Sequence, residues 1–249
     1  MKVTSLPSRI RYPLWLAVIA VCIFSAPGRA DIETRVSQAT SGLRDVSIRC
    51  KVTYANRNEL KKIGRDLAST YEFKQTLVQY KAPDKFKIEG KLGMIKVRLL
   101  INGDEKGIYV PLRGWHKENI RDAPHKRQTD FDMGIVSRSL WRCFVVQGED
   151  TVTDLGAPAY KITFAWSNSR DKKQICWVDT QTLKMLKRQA FESDGSLIAT
   201  YIYSDHHCLD GIWVPGRVDV YGCDGKLAGT TVLEDIKVNS GIPDSEFRF

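Results

Sequence analysis

The chain has 249 residues and carries 38 Lys or Arg against 29 Asp or Glu, a formal charge of +9 at pH 7. Those charges are scattered through the sequence, with no arginine-rich block and no aromatic platform motif, which argues against a nucleic-acid binder. The length suits a single domain of the all-β type once a leader is set aside.

The leader is legible at the N-terminus. Lys2, Arg9 and Arg11 form a basic start, Leu14 to Ala26 is an uncharged apolar run, and Gly28-Arg29-Ala30 places small residues before a cut. The run falls short of the roughly 20 residues that span a bilayer, so a secretory signal peptide over 1–30, cleaved after Ala30, is expected rather than a retained anchor. Cys22 lies mid-run behind Ile19-Ala20-Val21, without the small neighbour that lipidation would need. Cleavage removes four basic residues and no acid, leaving residues 31–249 at +5. Five cysteines remain, Cys50, Cys143, Cys176, Cys208 and Cys223. An odd number in an exported protein leaves at least one thiol free or bridged to another chain, and their pairing is open.

The exported part opens with a predicted helix, since Ile32, Val36, Ala39 and Leu43 recur at helical spacing behind Asp31 and Glu33. Val46, Ile48, Cys50, Val52 and Tyr54 then alternate with polar residues, the mark of a strand with one buried face. Residues 57–69 are polar and read as a loop or a short helical insertion. Strands are predicted over 71–81 and, after a corner at Pro83, over 85–89. Further strands fall at 94–102, 108–111, 159–166, 174–179, 183–192, 196–204, 212–221 and 226–238. Their separators include Gly103-Asp104-Glu105-Lys106-Gly107, Ser193-Asp194-Gly195, Asp210-Gly211 and Asp224-Gly225, whose glycines tolerate positive φ. About eleven strands result. One helix interrupts them, over 130–144, where Asp130 caps a broad apolar stripe of Phe131, Ile135, Val136, Leu140 and Phe144. Such a helix either covers a concave sheet as a lid or packs permanently as core.

Catalytic vocabulary is thin. Asp205-His206-His207-Cys208 holds adjacent histidines that point apart on an extended loop, no Cys-x-x-Cys pair exists, and neither a nucleophile elbow nor a phosphate or dinucleotide loop appears. No catalytic residue, metal or cofactor is assigned, and a non-enzymatic binding protein is the expectation. Strands with apolar residues on both faces, such as Tyr160, Ile162, Phe164 and Trp166, suit a curved sheet enclosing an apolar groove, although ordinary core predicts a similar composition.

The order of these features resembles the LolA family of periplasmic lipoprotein carriers. The matching pieces are the Lys81-Ala82-Pro83 corner with Phe86, the hairpin from Leu99 through Gly103 to Pro111, the 130–144 segment, Trp177-Val178-Asp179, and the closing Ile242-Pro243-Asp244-Ser245-Glu246-Phe247. The resemblance implies a mainly β (α+β) fold: an unclosed antiparallel β-barrel with an N-terminal helix and a helical lid over an apolar groove. It implies a periplasmic monomer that takes lipid or lipoprotein acyl chains from an inner-membrane ATP-driven release complex to an outer-membrane receptor. The groove is then expected at Ile48, Val52, Phe86, Ile88, Leu99, Ile101, Tyr109, Phe164, Trp177 and Tyr201, and the lid at Phe131, Ile135, Val136 and Leu140. Ala82 departs from the pattern, because the carriers hold a lid-binding arginine there. A sensor module of the RseB type on the same scaffold is the alternative.

Overall fold

The computed structural model describes residues 32–166 and 169–249; the expected signal peptide over 1–30 and the expected cut after Ala30 lie outside them. Helix α1 (Ile32–Ala39) leads into β1 (Asp45–Ala55), and the polar insertion forms two short helices, α2 (Arg57–Ile63) and α3 (Arg65–Thr70). Asn56 caps α2 by accepting from the backbone N–H groups of Asn58 and Glu59. A meander follows through β2 (Gln75–Lys81), β3 (Lys85–Leu92), β4 (Ile95–Asn102), β5 (Glu105–Val110) and β6 (Gly114–Asn119). After a crossing segment the chain resumes as β7 (Phe144–Val152), β8 (Ala159–Trp166), β9 (Ser169–Asp179), β10 (Met185–Phe191) and β11 (Leu197–Ser204). A small hairpin, β12 (His207–Leu209) with β13 (Ile212–Val214), precedes β14 (Arg217–Gly222) and β15 (Leu227–Val238).

Thirteen of the fifteen strands form one sheet in the order β6-β5-β4-β3-β2-β1-β15-β14-β11-β10-β9-β8-β7, antiparallel at every described pairing. Its two halves are meanders welded by the pairing of β1 with β15, where Cys50 faces Leu233 and Val52 faces Thr231. The sheet does not close, because β6 and β7 are both edges. Among the described residues fifteen strands replace the eleven expected. The added ones are the two edges, β12 of the small hairpin, and one from a break of 212–221 into β13 and β14. Edge strands need not bury a face and are commonly charged to discourage pairing, so Gly-Trp-His-Lys-Glu-Asn of β6 carries no apolar alternation to read.

The crossing segment 120–143 is where expectation and structure part most. It runs from one edge strand to the other and therefore spans the open side of the sheet. In place of one helix over 130–144 it forms a 3-10 turn, Asp130–Met133, and a short helix α4 (Ser139–Cys143). Gly134 stops the turn with φ 78°, a left-handed conformation that favours glycine, and Pro215 and Tyr203 pack too close to leave room for a Cβ. Thr129 and Asp132 fix the turn's start as a reciprocal capping box. The segment shares its apolar side chains between both halves of the sheet. Met133 and Ile135 pack with Tyr80, Phe86 and Ile101 on the N-terminal half, while Phe131, Val136 and Leu140 pack with Phe144, Ile162 and Phe164 on the C-terminal half.

The convex side of β3–β5 is strapped by the C-terminus. Ile242 and Phe247 are buried against Leu100, with Trp115 and Phe249 beside them. Lys87, almost fully buried, pairs with Glu246, and Lys81 and Lys85 both reach Asp244 at 2.7 and 3.0 Å. Asp45 anchors the strap's start by accepting from the backbone N–H groups of Ser240 and Gly241.

Candidate functional site

Strand parity sorts the concave face into rows. Ile48, Val78, Ile88, Leu99 and Ile108 are successive cross-strand partners from β1 to β5. The row on one side, Val46, Tyr80, Phe86 and Ile101, lies under Met133 and Ile135 and is sealed. On the other side the row of Cys50, Thr76, Gly90 and Val97 is not covered by the crossing segment. A half-open apolar cavity of about 340 Å³ results, with Val52, Val78, Ile88 and Leu99 in its floor and Tyr71 and Phe73 along its flank. Its size falls at the lower end of small-molecule sites, about 300–1,000 Å³.

Two glycines shape the flank. A Cβ on Gly90 would lie 2.8 Å from Phe73 Cδ1 and 2.8 Å from Thr76 Cγ2, so the bare backbone lets the Phe73 ring come down onto β3. Gly229 does the same for Tyr71, whose ring occupies the space a Cβ would need, and the Thr231 hydroxyl reaches the Tyr71 hydroxyl at 3.4 Å. Ionisable chemistry is nearly absent from the walls. Cys50 and Tyr71 are the exceptions, and burial pushes each up to about 12, which keeps both neutral at pH 7.

The structure divides the ten expected groove residues among three environments. Val52, Ile88 and Leu99 line the cavity. Ile48, Phe86, Ile101 and Phe164 face the same concavity but are sealed beneath the crossing segment, Phe164 within an edge-to-face aromatic cluster with Phe131 and Phe144. Tyr201 also faces inward, beside Arg188. Tyr109 and Trp177 are corrections: both lie on the convex face. Tyr109 pairs with Trp115 opposite the inward Ile108, their rings 5.4 Å apart. Trp177 alternates with the core residues Cys176 and Val178, donates to Asp154, and sits under the Lys187 ammonium at 4.5 Å. In both cases an aromatic in a strand was legible and its parity was not.

The expected lid residues Phe131, Ile135, Val136 and Leu140 are all buried. They act as a plug that fills the middle of the concavity. Ala82 packs against the cluster containing Met133 and Ile135, so apolar packing reaches the plug at this corner. Beneath it lies Asp130, fully buried, accepting from Ser139 Oγ and from the Phe131 backbone N–H, with Oδ2 lacking any partner. Burial raises its carboxyl to about 6.

Tyr71, Phe73, Val97, Ile108 and Thr231 also form the cavity and were not singled out from sequence. Val97 and Ile108 follow from register once Ile88 is placed inward. Tyr71 and Phe73 had no such signal, because they belong to the turn after α3 rather than to the strand expected to begin at Tyr71.

With this geometry in view, two solved structures compare along almost the whole chain. A putative outer membrane lipoprotein-sorting protein domain from Vibrio parahaemolyticus superposes with a TM-score of 0.56 at 11% identity, covering 88% of this chain and 97% of that one. A LolA superfamily protein from Nitrosomonas europaea gives 0.52 at 15% identity, covering 87% and 97%. The fold is LolA-like. A family model described as an uncharacterized protein matches residues 143–249, from the last residue of α4 through the second half of the LolA-like sheet. No curated protein matches the sequence. Among the described residues no helix is long and apolar enough to cross a membrane, and no three His, Cys, Asp or Glu side chains group as metal ligands.

Proposed function

We propose that this protein is an exported, non-enzymatic lipid carrier that holds acyl chains in the cavity between β1–β5 and the Tyr71–Phe73 turn and delivers them towards the outer membrane. The observation that carries the reading is the cavity itself: an apolar hollow of about 340 Å³ left open on the concave face by a plug that covers only the adjoining row. An unoccupied apolar wall of that kind is costly to maintain unless an apolar guest removes it from water. About ten buried methylenes contribute roughly 8 kcal/mol before association costs, which leaves binding reversible enough for hand-over.

The cavity's rim suits exchange with a bilayer. The β3–β4 hairpin continues the wall beyond Gly90 and Val97 and ends in Leu92, Met94 and Ile95, with Met94 fully exposed. Lys91 and Lys96 flank these residues and are exposed too. Apolar side chains between lysines match the interfacial region of an anionic membrane. Like the carriers it resembles in fold, the protein would draw cargo from an inner-membrane ATP-driven release complex and pass it to an outer-membrane receptor.

Native mass spectrometry of the mature protein, purified from a periplasmic extract without detergent, tests this. Adducts with the masses of lipid or acylated protein, lost on organic extraction, are expected. A protein that emerges unliganded and takes up no lipid dye overturns the proposal, and a full-length chain recovered only in membranes overturns cleavage after Ala30.

A further inference from the structure

The C-terminal half of the concave face carries a cation that forms no ion pair among the described residues. Arg188 of β10 points inward, since its cross-strand partners are the core residue Cys176 on β9 and Tyr201 on β11. Its guanidinium carbon lies 4.3 Å from the centre of the Tyr201 ring and 5.5 Å from that of Phe131. Nε is shut off from solvent and has no hydrogen-bond partner. The groups whose charge or polarity reaches the guanidinium are Tyr203, Tyr201, Asp132 and Cys176. Asp132 is the acid among them: its charge favours the guanidinium from beyond ion-pair distance, while its Oδ2 accepts from the Thr129 backbone N–H at 2.9 Å. An arginine keeps its charge at any physiological pH, so a full positive charge stands on a wall otherwise built from Cys, Tyr and Phe.

Ring stacking offsets part of the cost of that placement, but a leucine or methionine would fill the same site at none. What an arginine adds is a forked donor, suited to a carboxylate or phosphate. The side chain is only partly buried, so its outer edge remains open to the concavity. Register links it to the cavity. Arg188, Tyr201, Val220 and Gly229 are successive partners from β10 to β15, and the ring of the cavity residue Tyr71 rests on Gly229. Three strand spacings amount to about 14 Å, a separation within reach of a long-chain amphiphile.

We infer that the ligand is an anionic amphiphile whose oxyanion head is taken by Arg188 while its acyl chain runs across Tyr201 and Tyr71 into the cavity. This rests on the lipid-carrier reading and narrows it to a ligand class: a single carboxylate or phosphate on a long apolar chain.

The test is fluorescence titration of the mature protein with cis-parinaric acid and with its methyl ester, which share a chain and differ in head-group charge. The acid is expected to bind about tenfold more tightly than the ester, as a charge-assisted hydrogen bond would give. In Arg188→Gln the ratio should fall towards one, and in Arg188→Lys it should be partly kept. Displacement by palmitate and by lysophosphatidate then tells carboxylate from phosphate heads. Equal binding of acid and ester by the unsubstituted protein overturns the inference while leaving the carrier reading intact, whether or not the variants fold. A preference that survives in folded Arg188→Gln also overturns it. Failure of both probes to bind removes the carrier reading and this inference with it.

Discussion

Ile88→Glu separates a working cavity from ordinary core. Ile88 sits in the cavity floor, half-buried, with its neighbours Leu99 and Val78 in the same wall. In the ligand-free protein the introduced carboxylate meets the water of a half-open cavity, so the fold should lose only the contacts of a partly buried Ile, about 1–2 kcal/mol. An acyl chain laid over it changes the balance. Covering a carboxylate with hydrocarbon raises its pKa by about two units at half burial, which is close to 3 kcal/mol, or about a hundredfold in affinity at pH 7. The loss should shrink as pH falls from about 6 towards 4, because the protonated acid has no charge to desolvate, and Ile88→Gln should show a smaller, pH-independent loss. Titration with an environment-sensitive lipid dye at pH 7.5 and pH 5, with circular dichroism to confirm the fold, reads all three effects. Dye affinity within about threefold of the unsubstituted protein at pH 7.5, in a natively folded variant, would show that lipid does not occupy this cavity.

Phe86, one row away, should behave in the opposite manner: it is sealed among Tyr80, Ile101 and the plug, so Phe86→Ala should cost about 3–5 kcal/mol in urea unfolding. Residual dye binding by its folded fraction is expected to stay near normal. Asp130→Asn tests the buried carboxyl of the plug. Its native pKa of about 6 exceeds the unfolded value near 3.9, so its contribution to stability is complete below pH 4 and is lost as pH rises through 6. That loss is about 3 kcal/mol; the difference in unfolding free energy between Asp130→Asn and the unsubstituted protein should therefore move in the variant's favour by that order between pH 4 and pH 7. A flat difference would mean that Asp130 is not effectively buried. At the hairpin tip, Leu92→Ser with Met94→Ser should reduce co-sedimentation with anionic vesicles without altering thermal stability, since both side chains are exposed. Unchanged sedimentation would detach the hairpin from membrane contact.

Burial periodicity carried most of the fold. Val46 to Tyr54, 85–89 and 94–102 announce strands because one face of each meets the core, and Asp194-Gly195, Asp210-Gly211 and Asp224-Gly225 announce turns because glycine takes the positive φ found at each. The strands that escaped notice are those that bury least, above all the edge β6. The failures at the site share one cause. Type and period tell that Tyr109 and Trp177 belong to strands, but the face each presents depends on register, and a single-residue shift reverses it. Register here is disturbed by bulges between Met185 and Lys187 and between Ser47 and Arg49, which no local pattern reveals.

The plug shows why a correct list of buried residues need not give a correct element. Phe131, Ile135, Val136 and Leu140 are spaced as a helical stripe, and all four are indeed buried, yet no single helix joins them. A helix would aim them along one line. The topology instead requires a segment that leaves one edge of an open sheet and arrives at the other, so it meets two apolar walls that face each other and must supply side chains to both. Gly134 makes this possible by ending the first turn in a left-handed conformation, after which Ile135 turns to the N-terminal wall and Val136 to the C-terminal one. A chain so divided clamps the two halves of the sheet rather than swinging from either. Because the clamp covers the row of Phe86 and Ile101 and leaves the row of Cys50 and Gly90 bare, the cavity beside it can stay open without the plug having to move.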